Sequence, residues 1–250
     1  MGECPHPPLS PLTPSLLAQL LLARRATAFF AHELNGLSNV DLDGDSLLPG
    51  WSRRHVVAHV AYNARGMVRL VTWARTDVET PMYASNEARD SDIAAGAELD
   101  RDALRTLFDV ATIQLDAAWR RLTPETWSHP VRTPSGREIP VSETVWMRNQ
   151  ELWVHTVDLA TGAAFDDVPV EVLDRLLAEI TSAWAARGDG GDLVLSVTGA
   201  QPERRFGDLR SEHPVVVSGS VAGLVKWATG RGGSDVTSST GTPADPPRWL

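Results

Sequence analysis

Arg148-Asn-Gln-Glu151-Leu-Trp-Val-His155-Thr-Val-Asp158 is the stretch on which the reading of this 250-residue chain turns. In a helix, the four-residue interval stacks Glu151 and His155 on one face, so that both side chains reach toward one point. A carboxylate and a neutral imidazole suit zinc or a similar divalent cation, but a catalytic site needs a third protein ligand and an open position. Helix bundles assemble such sites from facing helices, so the stretch points to a bundle with the missing ligand on a neighbouring helix.

Working outward, the residues before it supply the other helices. Thr13-Pro14 offers an N-cap and a helix-compatible first residue for a Leu-rich helix over about 15–34. Asp41 to Asp45 breaks the pattern. Ser52 is a candidate cap for a second helix reaching about Ala74, with Val56, Val60, Met67 and Val71 as its inner stripe. A polar helix over about 86–95 precedes an amphipathic one over 101–122, with Leu104, Leu107, Phe108, Ala111, Leu115 and Ala118 at helical spacing. Pro124, Pro130, Pro134 and Gly136 mark a long connection. Ser142 is expected to cap the helix that carries Glu151 and His155, with Thr161-Gly162 as its end. Four long helices within the first 160 residues or so form a bundle.

Beyond Pro169 the pattern changes. A helix over 170–186 is followed by alternating Leu193, Leu195 and Val197, a second β-type run over 215–218, and a short helix over 221–228 that stops at Gly230-Arg231. The expected class is therefore α+β: a bundle over residues 12–165, a small α/β domain over 166–231, and a flexible tail over 232–250, which is rich in Gly, Ser, Thr and Pro.

The third ligand is sought on the second helix, where His59 lies beside Val56 and Val60, and His55 competes for the role one turn earlier. With 32 acidic residues and seven histidines, roughly one acidic-x-x-x-His pair arises by chance. The same residues also fit a core histidine and a surface i,i+4 pair. Arg148 and Asp158 add polar groups to the same face.

Composition narrows the partners. A formal charge of -9 and a pI near 5.2 give no basic surface for nucleic acid or anionic lipid, and no run approaches the apolar length of a membrane span. The first residues lack the pattern of a secretory signal, so the expectation is a cytoplasmic protein with a small-molecule partner. The single cysteine, Cys4, excludes an intrachain disulfide and a Cys-based zinc site.

Several short motifs occur together in order: Gly50-Trp51-Ser52-Arg53, then Ala58-His59-Val60-Ala61-Tyr62-Asn63, then Pro81-Met82-Tyr83 within 79–93, then Glu151-x-x-x-His155-x-x-Asp158-Leu159. Over about residues 12–231 the chain resembles the mycothiol-dependent maleylpyruvate isomerase family, which joins a DinB-like bundle to a sterol-carrier-protein-like α/β domain. The resemblance implies that His59, Glu151 and His155 bind zinc, with His59 preferred to His55 and water completing the site. It also implies that Arg231, in Trp227-Ala-Thr-Gly230-Arg231, faces the metal and holds a substrate carboxylate. An arginine that merely completes a helix C-terminus is the plainer alternative.

The implied reaction is cis-trans isomerisation of maleylpyruvate to fumarylpyruvate in a monomeric enzyme. A mycothiol thiolate adds reversibly to the conjugated double bond, the resulting single bond rotates, and sulfur is expelled; a metal either favours the thiolate or polarises the substrate carbonyl. A mycothiol S-transferase acting on another electrophile shares the metal and thiol. A nonenzymatic metal-stabilised binding protein, with a closed metal shell, and a non-haem iron site are further alternatives.

Overall fold

The computed structural model describes residues 14–249. Cys4 and the expected cap Thr13 lie outside the described residues. The chain divides into two compact units, one ending at Thr161 and the other beginning at Gly162. No helix among the described residues is long and apolar enough to cross a membrane.

The first unit contains α1 (Pro14–Gly36), α2 (Arg53–Thr76), α3 (Asn86–Ala97), α4 (Arg101–Arg120) and α5 (Glu143–Asp158). The four long helices form the bundle: α2 packs on α4 and α5, and α1 packs on α5, while α3 lies against α2. The expected stripes point inward. Val56, Val60, Met67 and Val71 of α2 meet Leu104, Leu107, Phe108, Ala111 and Leu115 of α4 in a buried core, which Ala118 joins only in part, and Phe30 of α1 stacks 4.9 Å from Phe108. Each such aliphatic or aromatic side chain contributes about 1.5–3 kcal/mol by leaving water.

Helix ends depart from the expectations in informative ways. Ser142 precedes α5, but it has helical dihedral angles and makes no side-chain cap bond. Likewise α5 stops at Asp158, three residues short of Thr161, with Ala160 in a left-handed conformation at φ 52. The cause is Arg53, whose guanidinium collects the carbonyls of Leu159 (2.6 Å), Ala160 (3.2 Å) and Asp41 (2.8 Å) and so satisfies the helix end from outside. The connection between α4 and α5 is not a plain loop. It carries a hairpin of β1 (Pro130–Arg132) and β2 (Glu138–Pro140), with Val131 opposite Ile139 and both buried, turned by Gly136 at φ 82.

In the second unit, α6 (Val170–Arg187) leads to β3 (Leu193–Val197), β4 (Arg204–Gly207), β5 (Val215–Gly219), α7 (Val221–Ala228) and β6 (Val236–Ser238). The sheet order is β4-β3-β5-β6, with β3 and β5 parallel and both outer pairs antiparallel. α6 packs on α7 and β4, and Trp184 meets Trp227 edge-on at 6.1 Å. The stretch expected to be a flexible tail supplies β6, because β5 would otherwise present an unpaired edge and Val236 finds cover there.

Candidate metal centre

α2 and α5 bring the polar residues of the first unit together. The Nε2 of His59 lies 2.8 Å from Oε2 of Glu151, and the Nε2 of His155 lies 3.3 Å from the same oxygen. The three residues each offer one ligand atom, and these atoms lie within 4.8 Å of one another. Ligand atoms held about 2.0–2.1 Å from a tetrahedral zinc are about 3.3 Å apart, which the His155–Glu151 separation matches and the 2.8 Å between His59 and Glu151 falls short of by about half an ångström.

The surroundings fit that donor set. Nδ1 of His155 sits 2.8 Å from Oδ2 of Asp158, a residue wholly buried one turn on, which holds a proton on Nδ1 and turns Nε2 toward Glu151. The ring of His59 meets that of His155 edge-on at 4.7 Å, and Trp51 covers His59 at 5.5 Å. Nδ1 of His59 is buried with no hydrogen-bond partner among the described residues.

Electrostatics separate the two histidines. Burial pushes His59 below the ordinary histidine range, and the attraction of Glu151 does not restore it. Burial also acts downward on His155, but the bonds to Asp158 and Glu151 outweigh it and raise the group to about 9. For Glu151, burial acts upward and is outweighed by His59 and His155, so the carboxylate stays ionised well below its usual range. Without an ion His155 therefore carries a proton on Nε2 beside the Glu151 carboxylate, and the donor set suits a cation that would displace that proton on binding.

His55 is not part of this group. It turns back on its own helix start, with Nδ1 2.8 Å from Ser52 Oγ and accepting from the Ser52 amide at 3.3 Å. Spacing along the second helix left two histidines open, the family resemblance preferred His59, and the helix cap holds His55.

Three roles escaped the sequence reading. Asp158 orients His155, Arg53 fixes the end of α5, and Tyr83 and Arg89 belong to the same electrostatic group. Tyr83 is pushed up to about 12, first by burial and then by Glu151, while the Arg89 guanidinium lies 6.0 Å from its ring and opposes the rise. The loop bearing Tyr83 is held on α2 by a close approach: a Cβ on Gly66 would stand 2.7 Å from Met82 Cγ. The i,i+3 spacing of His155 and Asp158 was the one available signal for these roles.

Arg231, in the second unit, follows α7. Its amide returns to the Lys226 carbonyl and that of Gly230 to Trp227, closing the helix with Gly230 at φ 76. The guanidinium donates to the Thr229 carbonyl at 2.7 Å and lies 5.4 Å from the Trp249 ring centre.

Comparison with known families and structures adds the relatives. A model described as "Mycothiol maleylpyruvate isomerase N-terminal domain" matches residues 23–160, and "MDMPI C-terminal domain" matches residues 167–249. The chain belongs to the mycothiol-dependent maleylpyruvate isomerase family. A solved structure, "Crystal structure of the mycothiol-dependent maleylpyruvate isomerase", is 46% identical, with 94% of this chain and 97% of that chain covered at a TM-score of 0.89. A second structure, of such an isomerase with one histidine replaced by alanine, matches with the same identity, coverage and TM-score. No curated protein matches the chain. Membership of the isomerase family thus extends over both units, matching the α+β organisation described above.

Proposed function

We propose that this chain is a cis-trans isomerase that converts maleylpyruvate to fumarylpyruvate with mycothiol as thiol and zinc as metal. The observation that carries the reading is the 46% identity over nearly the full length of a mycothiol-dependent maleylpyruvate isomerase, in a chain whose own His59, Glu151 and His155 converge. When bound, the metal supplies Lewis acidity and the thiol a nucleophile for reversible addition to the conjugated double bond.

The chain's residues hold and shape that chemistry. His59, Glu151 and His155 provide three ligands and leave further positions to exchangeable partners. Asp158 keeps the His155 ring in one tautomer, and Trp51 shields the His59 side from water. Tyr83 stays a neutral phenol at working pH and can donate a hydrogen bond to an anionic substrate oxygen. Arg231 is assigned to a substrate carboxylate, a task for which a planar guanidinium is suited, with its bond to Thr229 as a second, structural duty.

The test is direct: purified protein is given maleylpyruvate with and without mycothiol, and fumarylpyruvate is followed. Product only in the presence of the thiol supports the reading. Absence of product with both present, in protein carrying its metal, overturns it.

A further inference from the structure

The bundle is not closed on all sides. Between α1 and α4 lies a cleft of about 420 Å³, lined among others by Ala23, Thr27, Leu115, Ala117, Trp119 and Arg148. That volume falls within the range of small-molecule sites, whose walls are mostly apolar with a few placed polar groups. Its wall is apolar out to the surface, where Ile113 of α4 is 67% exposed. Across the mouth, Asp116 pairs with Arg24 at 2.9 Å and with Arg120 at 2.6 Å, leaving one net positive charge at the entrance.

The deep group is Arg148, only 1% exposed. Its Nη1 donates to the Val60 carbonyl at 2.7 Å and to Asn63 Oδ1 at 3.2 Å, and its Nη2 reaches Thr112 Oγ1 at 3.5 Å. Nothing else among the described residues accepts from the Nε edge, and no carboxylate lies within ion-pairing distance. Burial pulls the group down only to about 10, opposed first by the attraction of Glu151, which lies beyond ion-pairing distance, so it is charged at neutral pH. A buried guanidinium without a carboxylate partner is costly, and the guanidinium edge formed by Nε and Nη2 is the one that matches a carboxylate with two parallel bonds.

We propose that the cleft between α1 and α4 is a second ligand site, distinct from the metal centre, which takes a small carboxylic acid with an apolar body. The acid's hydrocarbon lies against Ala23, Leu115 and Trp119, and its carboxylate reaches the Nε and Nη2 edge of Arg148. This site does not depend on the isomerase reading. Val60, whose carbonyl Arg148 holds, directly follows His59, so occupancy of the cleft bears on the backbone that carries a metal-centre residue.

The probes are 3-phenylpropanoate and its uncharged amide, titrated calorimetrically into the full-length, zinc-loaded protein. The acid is expected to bind at least about tenfold more tightly than the amide, a difference a single carboxylate-guanidinium contact can supply. Because replacing Arg148 disturbs the core, the informative variant is Ala117→Phe, which fills the cleft from a half-exposed wall position. It should weaken the acid at least about tenfold while circular dichroism is unchanged. His155→Ala, which damages the metal centre, should leave acid binding within about twofold. Equal affinity for acid and amide, no binding of the acid, undiminished binding to Ala117→Phe, or loss of binding in His155→Ala would each overturn the proposal, the last by placing the acid on the metal.

Discussion

Two polar layers cross the core of the helical unit within one turn of α5, and they are built in opposite senses. The layer of His59, Glu151, His155 and Asp158 turns two ring nitrogens toward one carboxylate oxygen, and these atoms offer a surplus of lone pairs once a cation displaces the His155 proton. The layer of Arg148, Asn63 and Thr112 has a surplus of N–H donors around a guanidinium. Both clusters mix buried and half-buried polar groups, and burial alone does not distinguish a reactive site from a structural one. The sign of the surplus does: excess lone pairs call for a cation, and excess donors call for an anion or for backbone carbonyls such as that of Val60.

The strongest test of that contrast removes the first layer's ligands one at a time. His59→Ala, Glu151→Ala and His155→Ala should each reduce metal content and lower isomerase activity by at least about a hundredfold, more than the loss of a supporting residue costs. The helical signal should remain, because the bundle core does not depend on an ion. Full stoichiometric metal in His59→Ala would remove it from the ligand set. Asp158→Asn comes next. It keeps the shape but weakens the hold on the His155 tautomer, and metal affinity measured against a competing chelator should fall about ten- to hundredfold.

Arg148→Met should act on a different axis. Removing the donors leaves the Val60 carbonyl and Asn63 without their partner, so urea unfolding should show a loss of about 1–3 kcal/mol while metal content holds. If Arg148→Met instead lost metal at unchanged stability, the two layers would be one functional unit and the contrast would collapse.

How much of this was legible beforehand follows from what each signal encodes. The faces of α2, α4 and α5 could be read because helical period is a property of one segment, and the inner stripes fell where spacing put them. β1, β2 and β6 were missed because strands of three residues carry no usable alternation, and β4, with Arg204 and Arg205, looks like a polar loop until β3 pairs with it.

Smaller effects separate Arg231 and Cys4 from the first layer. Arg231→Lys retains charge but loses the two-donor plane, and kcat/KM should drop about tenfold with metal content unchanged. Kinetics equal to the parent's would reduce Arg231 to a structural role, such as its bond to the Thr229 carbonyl. Cys4→Ser should keep nearly full activity with mycothiol present, because Cys4 lies ten residues before the first described helical position, Pro14, and outside every motif of the site, whereas covalent catalysis needs a positioned nucleophile. Activity lost in Cys4→Ser, or retained with no thiol added, would show that the first layer works with an internal sulfur or with none.

By itself, the sequence determined which residues share a face: Glu151 above His155, Val56 beside Val60, the apolar stripe of α4. These follow from local backbone geometry and need no partner. Helical spacing left His55 and His59 open; the tertiary structure separates their surroundings, because Ser52 holds one ring and Glu151 the other, 92 residues away. Only it revealed that Arg53 ends α5 and that Arg148 meets no carboxylate across the core, since both depend on distances between helices that no spacing along a single segment encodes.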